Sequence, residues 1–210
     1  MILRSTAVLV FAMGALALFA GTSLLGRAPG LSPETEHLRA MKDRDDAPTT
    51  VRDVDMDWFA RLPHRAPMAE RTRIEQQGVR MEGSVQRIEL SGDGDLHLEI
   101  VTRPRTAADR DTAYVVGEIT QNVRAGSRGW AYDSLLAVFR PNHGGRQPWP
   151  GGTRRVRLTG WPNYDHPYDR PVSTWLLQEG APRRTGWEIH PVTRIEWWDD
   201  ATTSWRELTR

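Results

Sequence analysis

Glu188 and His190 stand two apart in the segment GWEIHPVTRIEWW, and His97 and Glu99 stand two apart in LHLEIV. Residues two apart on a β-strand share a face. If both segments are strands that turn those faces to one region, two imidazoles and one or two carboxylates meet there. Asp165 and His166 lie in a polar segment able to cap the group. Two imidazoles and a carboxylate suit Zn²⁺ or another divalent transition ion, with a position left open for water. A bound ion would lower the pKa of that water and make hydrolysis conceivable. The candidate metal ligands are therefore His97, Glu188 and His190. The candidate ligand groove adds Glu99, Asp165 and Arg184. A second reading needs no ion. Glu188 and His190 would bond buried backbone and the indole N–H groups of Trp161 or Trp187, and the network would fix one strand register.

Other chemistries find less support. The GDGD stretch places Asp93 and Asp95 two apart but lacks the further oxygen ligands of a calcium loop, and Asp-Gly explains it as a hairpin turn. No serine lies in a G-x-S-x-G elbow. The glycines of NHGGRQPWPGG have neither the lysine nor the following helix of a phosphate loop. Arg154, Arg155, Arg157, Arg183, Arg184 and Arg194, with Trp161, Trp175, Trp197 and Trp198, form a basic and aromatic set. Such a set serves single-stranded nucleic acid in some barrels. Glu82, Glu89, Glu118 and Glu196 are available to neutralise it.

Composition narrows the field. Lys and Arg total 28 against 27 Asp and Glu, a net charge of +1, so the chain has little overall pull towards nucleic acid. The absence of cysteine excludes disulfides, zinc–thiolate sites and a thiol nucleophile. The opening run MILRSTAVLVFAMGALALFAGTSLLG is nearly all apolar after one arginine, which suits a secretory signal or a single membrane anchor. Ala15, Ala17 and Ala20 give small-residue cleavage options. The expected location is the periplasm, or the inner membrane facing it.

The pattern divides the chain into 1–26, the signal or anchor; 27–77, a polar helical linker; 78–200, a β domain; and 201–210, a C-terminal tail. In the linker, Ser32 caps a helix begun by Pro33, and VRDVDMDWFARL and PMAERTRIEQQG read as two more short helices, the second stopped by Gly78. Beyond Gly78, VRMEGSVQRIEL alternates and then shifts phase beside Gly83, which implies a bulge or coil. The turn at Asp93-Gly94 leads into LHLEIVTR, with Leu96, Leu98 and Ile100 on one face. AYVVGEIT is a third strand, WAYDSLLAVFR a short helix ended by Pro141, TRRVRLTGW a fourth strand, and the opening segment a fifth. Three strands, a helix and two strands make a mainly β chain with the order of a small five-stranded OB-like barrel.

The motifs carry a resemblance. VRMEGSVQRIELSGDGDLHLEI, VRLTGWPNYDHP and RRTGWEIHPVTRIE together resemble a group of uncharacterised bacterial OB-fold-like proteins marked by D-G-D-x-H, V-x-x-T-G-W-x-x-Y-D and W-E-I-H-P-V-T-x-I. The resemblance spans 78–198. It implies the barrel fold, and His97, Glu188 and His190 as recurrent features. The reading that follows is a non-catalytic binding or scaffolding module of the cell envelope. Its partner would be an envelope protein or the membrane, the latter through an uncleaved N-terminal segment. A metal-dependent hydrolase, such as a phosphodiesterase holding a divalent ion, is the first alternative, and single-stranded nucleic-acid binding the second.

Overall fold

The computed structural model describes residues 31–102, 113–140, 153–166 and 183–210. The apolar N-terminal run, the glycine-rich loop and Trp175 lie outside the described residues. The elements are α1 (Pro33–Lys42), β1 (Val51–Val54), α2 (Met56–Arg61), α3 (Met68–Glu75), β2 (Gly78–Leu90), β3 (Leu96–Val101), β4 (Tyr114–Ile119), α4 (Gln121–Arg124), α5 (Tyr132–Phe139), β5 (Arg155–Tyr164), β6 (Arg183–Asp199) and β7 (Ser204–Glu207).

The chain is mainly β. Five strands form a closed ring: β2 pairs with β3, β3 with β4, β4 with β6, β6 with β5, and β5 returns to β2. The β4–β6 pairing is parallel and the other ring pairings are antiparallel. Closure pairs every ring strand on both sides, and β1 and β7 extend the sheet beyond the ring on β2 and β6.

β2 takes part in two pairings in succession, with β5 over its first half and β3 over its second. The expected phase shift is present: the β2–β3 register slips between Val85 and Arg87. Gly83 stands at the changeover because a Cβ there would lie 2.7 Å from the Val101 carbonyl oxygen. Gly160 has the same role between β5 and β6, where a Cβ would lie 2.1 Å from the Pro191 carbonyl. The hairpin falls at the predicted place. Ser91 N–H donates to the Asp95 carbonyl at 2.8 Å, and Gly94 takes φ +91°.

Alternation supplies the core. Leu96, Leu98 and Ile100 of β3 meet Val79, Met81, Val85, Val156, Leu158, Ile189, Val192 and Ile195 inside the ring. α5 adds Leu135 and Phe139 to the same cluster.

Residues 31–77 depart from the linker expectation. α1 forms as predicted, with Ser32 Oγ accepting from Thr35 N–H at 3.1 Å. Val51–Val54, however, is a strand parallel to β2, not the start of a helix. α3 ends at Glu75, and Gly78 opens β2 because a Cβ there would strike Pro48 at 2.3 Å. Phe59 and Ile74 are buried in the ring's own core cluster. Two indoles of the ring strands hold this segment down. Trp161 Nε1 donates to the Asp46 carbonyl at 2.8 Å, and Trp187 Nε1 donates to the Pro63 carbonyl at 3.0 Å. They do not bond Glu188 or His190, as the sequence had suggested.

The C-terminal residues are likewise no free tail. β7 pairs with the end of β6, and Trp130 Nε1 donates to the Leu208 carbonyl at 3.0 Å. The segment before the ring is thus part of its hydrophobic unit. Phe59→Ala is expected to destabilise the protein by about 3–5 kcal/mol in urea denaturation, where truncation in a detached linker would leave the transition unmoved.

Candidate functional site

β6 is the longest strand, with 17 residues, and its first half supplies the polar centre. Glu188 is wholly buried. Its Oε2 accepts from Arg183 Nη2 at 2.9 Å and its Oε1 accepts from Asn163 Nδ2 at 2.8 Å. Arg183 and Glu188 have opposite parity, so a regular strand would point them to opposite faces. The strand is not regular there. Tyr114 pairs with Arg183 and Val116 with Glu188, so β6 advances five residues while β4 advances two. The irregularity lets both side chains turn inward.

Lys42, the last residue of α1, enters from outside the ring. Its Nζ donates to Asp165 Oδ2 at 3.0 Å and stands 3.9 Å from Glu188 Oε1 and 4.0 Å from Glu118 Oε2. Burial works against its charge, but Glu188, Glu118 and Asp165 outweigh that, and its pKa is raised.

Glu118 of β4 is the hub of the outer half. It is the cross-strand neighbour of His97, and Gly117 beside it pairs with Ile189 beside His190. His97 Nδ1 lies 3.4 Å from Glu118 Oε1. His190 Nε2 lies 3.3 Å from Glu118 Oε2 and 3.9 Å from Asp95 Oδ2. Burial alone would raise the Glu118 carboxyl, yet the His190 and His97 bonds and the charges of His190 and Lys42 hold it well below the usual carboxylate range. His190 answers in kind. Burial disfavours its imidazolium, but the Glu118 bond and the charges of Glu188 and Glu118 raise its pKa overall. Glu188 is raised by burial first and by Glu118 next, against the pull of Arg183, His190 and Lys42. Burial also raises Asp95.

The predicted residues therefore separate. His97, Asp165, Glu188 and His190 do converge. Glu99 is diverted: its Oε2 accepts from Gln86 Nε2 at 2.9 Å and its Oε1 faces Arg87 at 3.5 Å. Arg184 is exposed, and the inward arginine is its neighbour Arg183. The set His97, Glu188 and His190 is not one ligand cluster, because Glu188 is engaged by Arg183 and Asn163 on the inner side. The trio whose ligand atoms lie within 4.8 Å of one another is Asp95, Glu118 and His190.

Two of these were visible in sequence under other roles. Asp95 sits two residues before His97, just ahead of β3. Glu118 follows from the β3–β4 hairpin register, which sets it opposite His97, although its charge alone suggested a surface partner for arginine. Lys42 had no local signal. A cavity of about 160 Å³ lined by Ala47, Pro48, Val51, Arg80, Thr159, Thr193 and Arg194 contains no member of the polar centre.

No family model matches the chain, and no curated protein matches it either. Among the described residues, no helix is long and apolar enough to cross a membrane.

Two outcomes are expected. Arg183→Ala leaves Glu188 a buried charge without its main partner and costs about 3–5 kcal/mol, whereas Arg184→Ala leaves the denaturation midpoint in place. The second outcome concerns pH. A raised His190 pKa contributes stability that is complete below the usual imidazole value of 6.5 and fades as pH rises through the folded value. A lowered Glu118 pKa contributes stability present above the usual 4.5 and lost in acid. In chelator, the stability gap between the wild type and His190→Gln is widest near about pH 6 and narrows towards about pH 9. A gap that widens with pH would contradict the assigned direction.

Proposed function

We propose that the chain is a non-catalytic binding or scaffolding module of the cell envelope, built on an OB-like barrel. Numbering only the ring strands, their order is first, second, third, fifth, fourth, with a helix between third and fourth, and this supports the OB-like reading.

One observation carries the binding role: an interleaved strip of arginine and tryptophan outside the ring, on β5, the second half of β6, and β7. Arg154 lies over Trp197 at 4.3 Å, Arg155 over Trp198 at 5.0 Å, and Arg157 over Trp205 at 4.0 Å. Trp198 and Trp205 meet edge to face with centroids 5.4 Å apart. The three indoles are half-buried, so each presents part of a ring to solvent. Tryptophan and arginine are the residue types that anchor protein interfaces. Stacking holds the guanidinium groups in place before a partner arrives, which lowers the ordering cost of binding.

The strip is poorly suited to a phosphate backbone, because its charges are answered locally. Glu82 accepts from Arg155 Nε at 3.1 Å and from Arg157 Nε at 3.3 Å, and Asp199 faces Arg206 at 2.7 Å. A protein partner in the envelope fits this balanced surface better. The apolar N-terminal run supports that location. The polar centre supports a non-catalytic role, since its inner members are engaged with one another.

A photo-reactive amino acid at Trp205 in the full chain, irradiated in intact cells, is expected to give one discrete adduct. Arg157→Ala should reduce its yield several-fold. The same diffuse adducts from Trp205 and from a control at exposed Gln76 would sink the proposal.

A further inference from the structure

The outer half of the polar centre has a property that the docking strip does not need. Asp95, Glu118, Asp165 and Glu188 bring four carboxylates together, and the fixed cations facing them are Lys42 and Arg183. The carboxylates outnumber those cations, and the excess is met by protons or by a bound cation. Arg124, on α4 beside the hairpin, directs its guanidinium to the Gly94 carbonyl. Asp93 on the same turn is exposed.

We propose that Asp95 Oδ2, Glu118 Oε2 and His190 Nε2 bind a divalent transition-metal ion of the Zn²⁺ or Mn²⁺ class, with His97 positioning Glu118 from behind.

Four features point the same way. First, spacing. An ion held at about 2.0–2.2 Å by nitrogen and carboxylate oxygen brings neighbouring ligand atoms to about 3.0–3.5 Å. His190 Nε2 already stands 3.3 Å from Glu118 Oε2 and 3.9 Å from Asp95 Oδ2, and all three atoms lie within 4.8 Å. Small side-chain rotations complete the approach.

Second, Asp95 divides its carboxylate. Oδ1 accepts the Gln121 N–H at 2.7 Å, which anchors the side chain and leaves Oδ2 for the ion. Third, His190 is 1% exposed and its Nε2, the ligand atom, faces the Glu118 and Asp95 carboxylate oxygens. A buried imidazole nitrogen between two carboxylates is a place where a proton or an ion has to sit. Fourth, one nitrogen and two carboxylate oxygens suit Zn²⁺ or Mn²⁺ better than Ca²⁺, which prefers oxygen alone. Glu188 is not a ligand, because Arg183 and Asn163 occupy its two oxygens. Lys42 is held by Asp165, with its Nζ 4.0 Å from Glu118 Oε2. Three protein ligands leave coordination positions for water.

The test is calorimetric titration of the full, chelator-treated protein with ZnCl₂ and MnCl₂, with CaCl₂ as control. One equivalent of Zn²⁺ or Mn²⁺ is expected to bind, with no saturable binding of Ca²⁺. Asp95→Asn keeps the Oδ1 acceptor for Gln121 and removes only the charged Oδ2. It should keep the wild-type melting profile while weakening the ion by more than about tenfold. A measurement needing no variant guards against a folding defect: sub-stoichiometric Mn²⁺ should broaden the His190 ring resonances before those of exposed His64 and His166. Absent stoichiometric binding, an unaffected Asp95→Asn affinity, or equal broadening of all three histidines would each overturn the site. Repeating the Trp205 crosslink in chelator keeps the two proposals apart. The site can fail with the crosslink intact, and the crosslink can fail with the ion bound.

Discussion

The constraint on which the structure depends is the buried charge of Glu188. An ionised carboxylate taken wholly out of water costs several kcal/mol unless its oxygens are served and its charge is answered. Here Arg183 and Asn163 serve the two oxygens, and Lys42 stands 3.9 Å away as a further cation. Each partner imposes a structural demand. Arg183 faces inward only because β6 gains residues against β4 between it and Glu188. Asn163 reaches Glu188 because β5 and β6 are in register there, with Asn163 opposite Glu188. Lys42 reaches it only if α1 lies against the ring. A single acid thus couples the register of two strand pairs to the placement of a helix more than a hundred residues earlier in the chain. Buried ionic groups of this kind are weak contributors to net stability. Their effect here is selective, since a slipped register would strand the charge.

β6 serves two regions with different chemistry. Its first half, with Arg183, Glu188 and His190, faces the polar centre. Its second half carries Trp197 and Trp198, which pack with arginines of β5 and β7. Gly160 allows β5 to approach the chain at Pro191, where one half gives way to the other. The two regions are therefore held by one continuous strand without sharing a residue. The aromatic strip presents rings and guanidinium groups outward, while the polar centre turns its groups to one another.

Much of the architecture was legible in the sequence because its causes are local. Ser32 and Pro33 announce α1, Asp93-Gly94 announces the hairpin, and the alternation of Leu96, Leu98 and Ile100 announces β3 and its inward face. The slip between Val85 and Arg87 was legible from a change of phase near Gly83. The linker reading failed for a related reason. Short polar helices have no strong periodicity of their own, and Phe59, Trp161 and Trp187 acquire their roles only when α2 and its flanking backbone lie against the ring.

By itself the sequence determined the five ring strands, the turn, the first helix and the same-face pairs His97 with Glu99 and Glu188 with His190, since residue type and a two-residue period are enough to set these. Tertiary structure alone decided which acids share a pocket. Glu99 and Asp95 each stand two residues from His97, yet one is taken up by Gln86 and Arg87 and the other is left facing His190. Arg183 and Arg184 are adjacent, and the β4–β6 irregularity turns the first inward and leaves the second in water. Lys42 completes the centre from 146 positions before Glu188 in the numbering. Electrostatic partners at that range are chosen by closure of the ring and the docking of α1, and no local pattern encodes them.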